Sequence, residues 1–192
     1  MRSRSARAPL ALCSWLAFCA SCAAARPPAA GPERLRGTDG AIHDTAPSAP
    51  QKYTVLIFFS ADCHVLTAHD ERLRTLAARY AGEGVPFYGI DPENGATLER
   101  DRDEAIRRGY PFPILLDSGA VLAKRYGVEY AGHTVVLDAA GTVRYEGGID
   151  SDRVRLTETA TPYLRDAIDD LLAGRPVRAR QAKVLGCALR TW

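Results

Sequence analysis

The chain has 192 residues, and its 25 lysines and arginines nearly balance 23 aspartates and glutamates, which leaves a net charge of +2 at pH 7. The basic residues are scattered among acidic ones and form no patch interleaved with aromatic residues, so nucleic acid is not expected as a partner. The length that remains after an N-terminal targeting segment suits a single domain.

A signal peptide is predicted over residues 1–25. Its positive n-region contains Arg2, Arg4 and Arg7. A short apolar h-region follows over residues 10–18, and small residues then continue as far as position 25. The apolar stretch is too short to span a membrane comfortably. We therefore expect an exported chain, either periplasmic or anchored by a lipid to a bacterial membrane.

Export determines how many cysteines the folded protein keeps. Cys19-Ala20-Ser21-Cys22 resembles a bacterial lipobox, which would place a lipid on Cys22 and attach the chain to the membrane; otherwise cleavage releases a soluble protein. In both cases the folded part owns only Cys63 and Cys187. In an oxidising compartment these two could form one bridge, hold a metal or remain separate thiols.

Residues 26–50 are predicted to be a linker. They contain five prolines among alanine, glycine and serine, a composition typical of a tether or a poorly ordered lead-in. A small hairpin is expected around residues 37–43.

Strand and helix patterns alternate from residue 53 onward. Strands are predicted at 53–60, 85–90, 112–116, 133–137 and 142–145, and helices at 68–81, 96–108, 121–126 and 161–173. The first strand is a near-continuous apolar run, typical of a strand covered on both faces. Asp138-Ala139-Ala140-Gly141 is a hairpin turn between the last two strands. This order indicates an α/β sandwich with a mixed sheet, followed by a C-terminal tail over residues 175–192.

Cys63 lies where the first of these strands ends and a helical pattern begins. Unpaired backbone N–H groups and the helix dipole favour negative charge at such a junction, so the sequence predicts a reactive thiolate. The adjacent carboxylate of Asp62 would oppose this effect by raising the pKa of the thiol. Leu66 occupies the position of the second cysteine of a C-x-x-C motif, which excludes a local dithiol mechanism.

Several segments together resemble the thioredoxin fold, and in detail its redoxin branch, the alkyl hydroperoxide reductase and thiol-specific antioxidant proteins. These segments are Val55–Cys63, Glu71–Leu73, Tyr110–Asp117, Ala123–Val128 and Val135–Gly147. The resemblance covers about residues 52–174 and implies a thioredoxin-like three-layer sandwich, with a central mixed β-sheet flanked by helices, in a domain over residues 51–174. It also implies an oxidoreductase with antioxidant activity and a role in cell redox homeostasis, which reduces a peroxide or a disulfide and is regenerated by an external thiol.

The resemblance further implies roles for particular residues. Cys63 would be the nucleophile, and Ser60 has the three-residue spacing of the serine or threonine that activates the cysteine of the family's peroxidases. Gly132 occupies the position at which this fold usually has a cis-proline, on the loop that faces the cysteine. His133 follows it, so its imidazole is expected near Cys63. Cys187 on the tail is the candidate resolving thiol, and no cofactor is implied.

Two other classes of function stay open at this point. Soft sulfur and imidazole ligands from Cys63, His133 and Cys187, joined by His64 or His69, would suit copper(I) or zinc. His64 and His69 are five residues apart and point to different sides of a helix, so they are not an i,i+4 metal pair. The third possibility is a non-catalytic thioredoxin-fold binding module in which Cys63 is inert.

Overall fold

The computed structural model of the chain describes residues 33–191. The signal peptide predicted for residues 1–25 and the lipidation predicted at Cys22 therefore lie outside the described residues. Among residues 33–191, no helix has both the length and the apolar character needed to cross a membrane.

The described part begins with a hairpin, as the sequence predicts around residues 37–43. Strands β1 (Arg34–Arg36) and β2 (Ile42–Asp44) pair antiparallel. The hairpin docks on the sheet through Thr38, whose N–H donates to the Ile114 carbonyl at 2.9 Å and whose hydroxyl accepts from the Ile114 N–H at 3.1 Å. An edge strand presents unpaired backbone groups, and the hairpin satisfies those of this edge. Residues 33–50, which the sequence analysis assigns to a linker, therefore include a hairpin that packs on the sheet.

Five strands form the central sheet in the order β5–β4–β3–β6–β7. The strands are β3 (Tyr53–Phe58), β4 (Phe87–Asp91), β5 (Ile114–Leu116), β6 (Thr134–Asp138) and β7 (Val143–Gly147). β3, β4 and β5 run parallel, whereas β6 pairs antiparallel with both β3 and β7. The residues of β3 from Thr54 to Phe58 are all buried, as the continuous apolar run predicts. The predicted mixed sheet is confirmed.

Helices flank this sheet, which confirms the predicted α/β sandwich. They are α1 (His64–Ala68), α2 (Asp70–Tyr80), α3 (Leu98–Arg108), α4 (Val121–Tyr126) and α5 (Tyr163–Leu172). The sequence pattern predicts a first helix over 68–81, but the structure has two helices that meet at His69, where φ is −90° and ψ is 0°. The first of them begins directly after Cys63, at the carboxyl end of the central strand β3.

The C-terminal tail, residues 175–191, contains no helix and lies along the sheet edge. The Glu146 N–H in β7 donates to the Arg180 carbonyl at 3.0 Å, and the Ala182 N–H donates back to the Glu146 carbonyl at 3.2 Å. Farther along, Ala188 forms an antiparallel bridge with Tyr130, in the loop that precedes β6. The tail thus passes from the edge strand β7 to the loop that faces Cys63.

Candidate redox site

Cys63 and Cys187 are joined in a disulfide, with their Cα atoms 5.6 Å apart and a sequence separation of 124. That separation falls within the 4.4–6.8 Å range usual for disulfides, about the middle of it. Cys63 is completely buried, whereas Cys187 is partly exposed. The sulfur of Cys187 is therefore the more accessible one to a thiol from solution.

The backbone around Cys63 is arranged to stabilise negative charge on its sulfur. Cys63 is the N-cap of α1, and its Sγ accepts a hydrogen bond from the Leu66 N–H at 3.4 Å. Its own N–H donates to the Ser60 carbonyl at 3.2 Å, which closes a tight turn between β3 and α1. The side chain of Leu66, where a C-x-x-C motif would have a cysteine, is buried in the core. The position is filled by packing, and the partner sulfur comes from the tail instead.

The tail reaches Cys63 as a short antiparallel strand on the loop before β6. The Ala131 N–H donates to the Cys187 carbonyl and the Leu189 N–H donates to the Glu129 carbonyl, both at 2.9 Å. Gly186 passes so close to this loop that a Cβ added there would lie 1.8 Å from the Ala131 carbonyl oxygen. Only glycine fits at that point, because a contact this short would require the backbone to move.

Gly132 adopts a φ of +81°, in the left-handed region that glycine enters without cost. Its N–H donates to the Phe58 carbonyl at 2.7 Å, which ties the loop to the end of β3. Among the described residues the only cis peptide bond precedes Pro50, so the loop facing the cysteine has a positive-φ glycine where this fold usually has a cis-proline.

An arginine on the tail is held by two acidic side chains beside the disulfide. Arg190 Nη2 lies 2.7 Å from Asp62 Oδ2 and 3.1 Å from Glu93 Oε2, and the Arg190 N–H donates to Glu93 Oε1 at 3.2 Å. Asp62 also pairs with Arg100 at 2.6 Å. The hydrogen bond from Arg190, together with the positive charge of Arg100, lowers the pKa of Asp62. These pairings offset the effect that an isolated Asp62 carboxylate was expected to have on the thiol.

Ser60, the residue three positions upstream of Cys63, directs its hydroxyl to Glu93 Oε2 at 3.0 Å. In this structure, therefore, the Ser60 side chain supports the acidic group that holds Arg190. Its backbone carbonyl, rather than its hydroxyl, is the group that bonds to Cys63.

The histidines predicted as site residues occupy three different surroundings. His64 is beside the disulfide, with Nδ1 3.9 Å from Cys187 Sγ. His133 packs edge-on against Phe58, with ring centroids 6.3 Å apart, and lines a cleft between α4 and β7. The structure thus brings His64 to the sulfur of Cys187, whereas the side chain of His133 lies in the cleft between α4 and β7.

His69 is buried and holds α1 in place through both ring nitrogens. Nδ1 lies 2.9 Å from the Val65 carbonyl and Nε2 lies 3.2 Å from Asp150 Oδ1. Both partners are acceptors, so only the protonated imidazolium can donate to both at once. Burial opposes that charge, but the bond to Asp150 outweighs it and raises the pKa of His69. Arg72 binds the second Asp150 oxygen at 2.5 Å, and these two donors lower the pKa of Asp150 despite its burial.

A buried arginine supports the turn that carries the cysteine. Arg108, at the end of α3, donates to the Ala61 carbonyl at 2.8 Å and its guanidinium lies over the Phe59 ring, 5.0 Å from the centroid. Its charge is balanced by Glu104 at 3.0 Å and Asp70 at 3.4 Å. This network fixes the backbone between β3 and Cys63.

Among residues 33–191, no three histidine, cysteine, aspartate or glutamate side chains converge as a metal site. Cys63 and Cys187 are consumed by their disulfide, so neither offers the thiolate that binds metals in this state. The candidate ligands His69 and His133 point into separate surroundings, away from the pair formed by His64 and Cys187.

Sequence reasoning missed Arg190 and Glu93 as parts of the site, and it missed that the tail docks on the loop Glu129–Ala131. The apolar residues of the tail indicate that it is buried, and Cys187 marks where it could meet Cys63. Nothing in the sequence indicates that the tail pairs with this loop, because the two segments are more than fifty residues apart. The acidic side chains of Glu93 and Asp62 resemble the scattered surface charge of the rest of the chain.

Comparison with solved structures gives two that are similar to this chain over most of both lengths. An uncharacterized conserved protein from Geobacillus kaustophilus is 26% identical with a TM-score of 0.76, over 88% of this chain and 94% of its own. A hypothetical protein from Sinorhizobium meliloti is 27% identical with a TM-score of 0.73, over 85% and 92% of the two chains.

A secreted disulfide oxidoreductase of Mycobacterium tuberculosis, homologous to E. coli DsbE, shares the fold at 24% identity and a TM-score of 0.50, over 74% of this chain and 95% of its own. No curated protein matches the chain significantly. Residues 34–146 match the AhpC/TSA family. The chain therefore belongs to this family, the redoxin branch of the thioredoxin-like proteins, and is a thiol oxidoreductase by class.

Proposed function

We propose that this member of the AhpC/TSA family is an exported thiol oxidoreductase in which Cys63 is the nucleophile and Cys187 the resolving thiol. The observation that carries the proposal is the Cys63–Cys187 disulfide, with a Cα separation of 5.6 Å, between a cysteine that caps a helix and a cysteine on a tail. Cys187 thus supplies the second thiol, which is missing from the C-x-x-C position because Leu66 is there.

The reaction begins with the reduced pair. The Leu66 N–H stabilises the thiolate of Cys63, which attacks a sulfur of a substrate disulfide and expels the other substrate sulfur as a thiolate. With a peroxide as substrate, the Cys63 sulfur takes one oxygen to form a sulfenic acid, and the remainder leaves as an alcohol or water. Over the whole cycle the two enzyme thiols give up two electrons to the substrate.

Cys187 then completes the reaction from the tail. Its thiolate attacks the Cys63 sulfur, so that the Cys63–Cys187 bond forms and the substrate thiolate, or water from the sulfenic acid, is released. His64 Nδ1 lies 3.9 Å from Cys187 Sγ, within reach to accept the proton of that thiol. An imidazole is a common general base in enzymes, which suits this task.

An external thiol reductant regenerates the enzyme. Because Cys63 is buried under the tail and Cys187 is partly exposed, the reductant attacks Cys187 and Cys63 leaves as the thiolate. A thiol that is stabilised as its anion is the better leaving group, which favours this direction of attack. A second reductant thiol then frees Cys187.

Two features support function outside the cytoplasm. The predicted signal peptide directs export, and a disulfide used as a resting state persists most readily in an oxidising compartment. A peroxide or a thiol/disulfide substrate and an external thiol reductant are the expected partners, whether the chain is released to the periplasm or anchored through Cys22.

Turnover measurements on three variants test this function. We expect Cys63→Ser to abolish thiol-dependent reduction of both insulin disulfides and hydrogen peroxide. Cys187→Ser is expected to stop after a single event and accumulate a Cys63 adduct, which intact-mass analysis detects. Ala188→Ser, an exposed neighbour, is the matched control and keeps the parent rate. Undiminished turnover by Cys63→Ser would overturn the proposal. A site built around a metal would instead show stoichiometric copper or zinc that is lost in the same variant.

A further inference from the structure

The segment Gly186–Arg190 is bound to the domain as an extended peptide would be, and it is also disulfide-bonded to the nucleophile. Backbone bonds at Cys187 and Leu189 alternate with an exposed residue, Ala188, in the pattern of an antiparallel strand added to an edge. Strand addition is a recurrent way to bind peptides, since backbone bonds give affinity and side-chain pockets give selectivity. The loop Glu129–Gly132 is therefore a built peptide edge.

The residues around Cys187 meet different demands along this edge. The position before the cysteine must be glycine, because a Cβ there would lie 1.8 Å from the Ala131 carbonyl oxygen. The position after it is open to solvent, since Ala188 is exposed. The second position after it is apolar, since Leu189 is buried and belongs to the hydrophobic core.

The third position after the cysteine is selected by charge. Arg190 reaches both Asp62 and Glu93, and Glu93 is buried, so its carboxylate benefits strongly from a cation. The Arg190 carbonyl accepts from the Asn94 N–H at 2.7 Å, which extends the backbone contacts past the arginine. A neutral or acidic residue at this position would leave the buried Glu93 without its cation.

We propose that this edge is the substrate site of the enzyme and that the substrate is a protein cysteine in an extended segment, preceded by glycine, followed at the second position by an aliphatic residue and at the third by arginine. The tail segment Gly186–Arg190 is then a tethered copy of that substrate. The inference rests on the proposed function and names its substrate class as protein disulfides of this pattern rather than small peroxides.

Tail and substrate segment exclude each other, because both use the Glu129 and Ala131 backbone groups. Cys63 thiolate attacks the substrate disulfide, the Cys63–substrate bond forms, and the other substrate sulfur leaves with the electron pair. When the tail returns to the edge, Cys187 thiolate attacks Cys63, its bond to Cys63 forms, and the substrate cysteine leaves as a thiolate that takes a proton from water. Two electrons pass from the enzyme thiols to the substrate disulfide.

The test uses the full chain carrying Cys187→Ser, which leaves Cys63 free. The probe is a synthetic peptide with the sequence of residues 184–191 whose cysteine is activated as a mixed disulfide with thionitrobenzoate. The rate of thionitrobenzoate release reports attack by Cys63. The tail of the variant competes equally with every peptide, so ratios of rates between peptides are unaffected.

We expect two changes in the peptide to slow the reaction. Gly186→Ala in the peptide should slow it about tenfold or more, the scale of overpacking against fixed backbone. Arg190→Glu in the peptide should slow it at least about fivefold, because it places a like charge beside Asp62 and Glu93. Ala188→Ser in the peptide, at the open position, should change the rate less than about twofold.

Exchanging the charges of the peptide and the protein distinguishes a lost contact from a damaged fold. Asp62→Lys in the protein should restore the rate of the Arg190→Glu peptide and slow the unmodified peptide. Asp103→Lys, an exposed site on α3 with the same change of charge, should do neither. A rescue specific to Asp62→Lys would support the assigned contact, since damage to the fold cannot speed one peptide while slowing another.

Equal rates for all peptides, with normal reaction of Cys63 toward the small disulfide dithionitrobenzoate, would overturn the substrate assignment and leave the proposed function intact. Failure of Cys63 to react with dithionitrobenzoate as well would overturn the proposed function and the assignment with it. Preferential formation of disulfide-linked dimers between Cys187→Ser and Cys63→Ser copies, in place of peptide adducts, would show that the edge serves a second copy and would also overturn it.

Discussion

Replacing Gly186 by alanine perturbs the redox pair without touching either sulfur. The added methyl group would lie 1.8 Å from the Ala131 carbonyl oxygen, 3.0 Å from its carbon and 3.4 Å from the Ala131 nitrogen. All three neighbours are backbone atoms of the loop that is tied to β3 through Gly132. The clash can therefore be relieved only by displacing the tail or the loop.

The cost of such overpacking is about 1–3 kcal/mol. This cost arises only while the tail is docked on the loop, and the disulfide keeps the tail docked in the oxidised state. If reduction frees the tail, the reduced state escapes the cost and the equilibrium shifts toward the dithiol. For a two-electron couple in which 30 mV corresponds to about 1.4 kcal/mol, Gly186→Ala should make the reduction potential about 20–65 mV less negative.

Equilibration in glutathione buffers of graded ratio measures this potential, with the oxidised fraction obtained from acid-quenched, alkylated samples by mass. Ala188→Ser, one residue beyond the cysteine and exposed, is the control and should titrate with the parent. A Gly186→Ala potential equal to that of the parent would refute the reasoning, because it would mean that the tail carries the same strain in both redox states.

Three further predictions concern buried ionisable side chains, namely His69, the pair of Asp91 in β4 and Asp101 in α3, and Arg108. The pKa of His69 is raised, so its contribution to the free energy of unfolding is complete below its usual value of 6.5 and is lost as pH rises through the raised value. The free energy of urea unfolding should therefore fall as pH rises above 6.5, and His69→Gln should lack this fall. Burial raises the pKa of Asp91 and Asp101, which costs stability as pH rises above about 3.8, so Asp101→Asn should stabilise the protein at about pH 8 and an unchanged urea midpoint would contradict this. Arg108→Met should cost about 3–5 kcal/mol in urea unfolding, because it leaves the buried Asp70 and the partly buried Glu104 without their cation. The exposed Arg107→Met should leave the urea midpoint essentially unchanged.

The sequence predicts the central part of the fold because its signals are local. The apolar run ending at Cys63 marks a fully buried strand, and the turn Asp138–Gly141 joins β6 to β7 through the Gly141 N–H and the Asp138 carbonyl at 2.8 Å. The helix predicted at 121–126 has those bounds in the structure. The sequence also predicts the hairpin near residues 37–43, but it gives no sign that this hairpin docks on the sheet through Thr38 and Ile114.

The site is harder to predict because its partners meet only in three dimensions. Spacing locates the loop that contains His133, but not the direction of its side chain, which packs against Phe58. It also gives no sign that His64 lies beside Cys187. The requirement for glycine at position 186 arises only because the docked tail lies against the Ala131 carbonyl. No local sequence pattern indicates it.

Placing the resolving thiol on a tail changes what controls the redox equilibrium. In a C-x-x-C motif the partner sulfur is held close by the helix itself. Cys187, 124 residues from Cys63, is brought near only by its docking contacts, since closing a loop of that length costs about 5 kcal/mol of chain entropy in an unfolded chain. In the folded protein the backbone bonds to Ala131 and Glu129 and the charge pairs of Arg190 meet this requirement. Any partner that competes for those contacts therefore also shifts the disulfide equilibrium, which couples substrate binding to electron transfer.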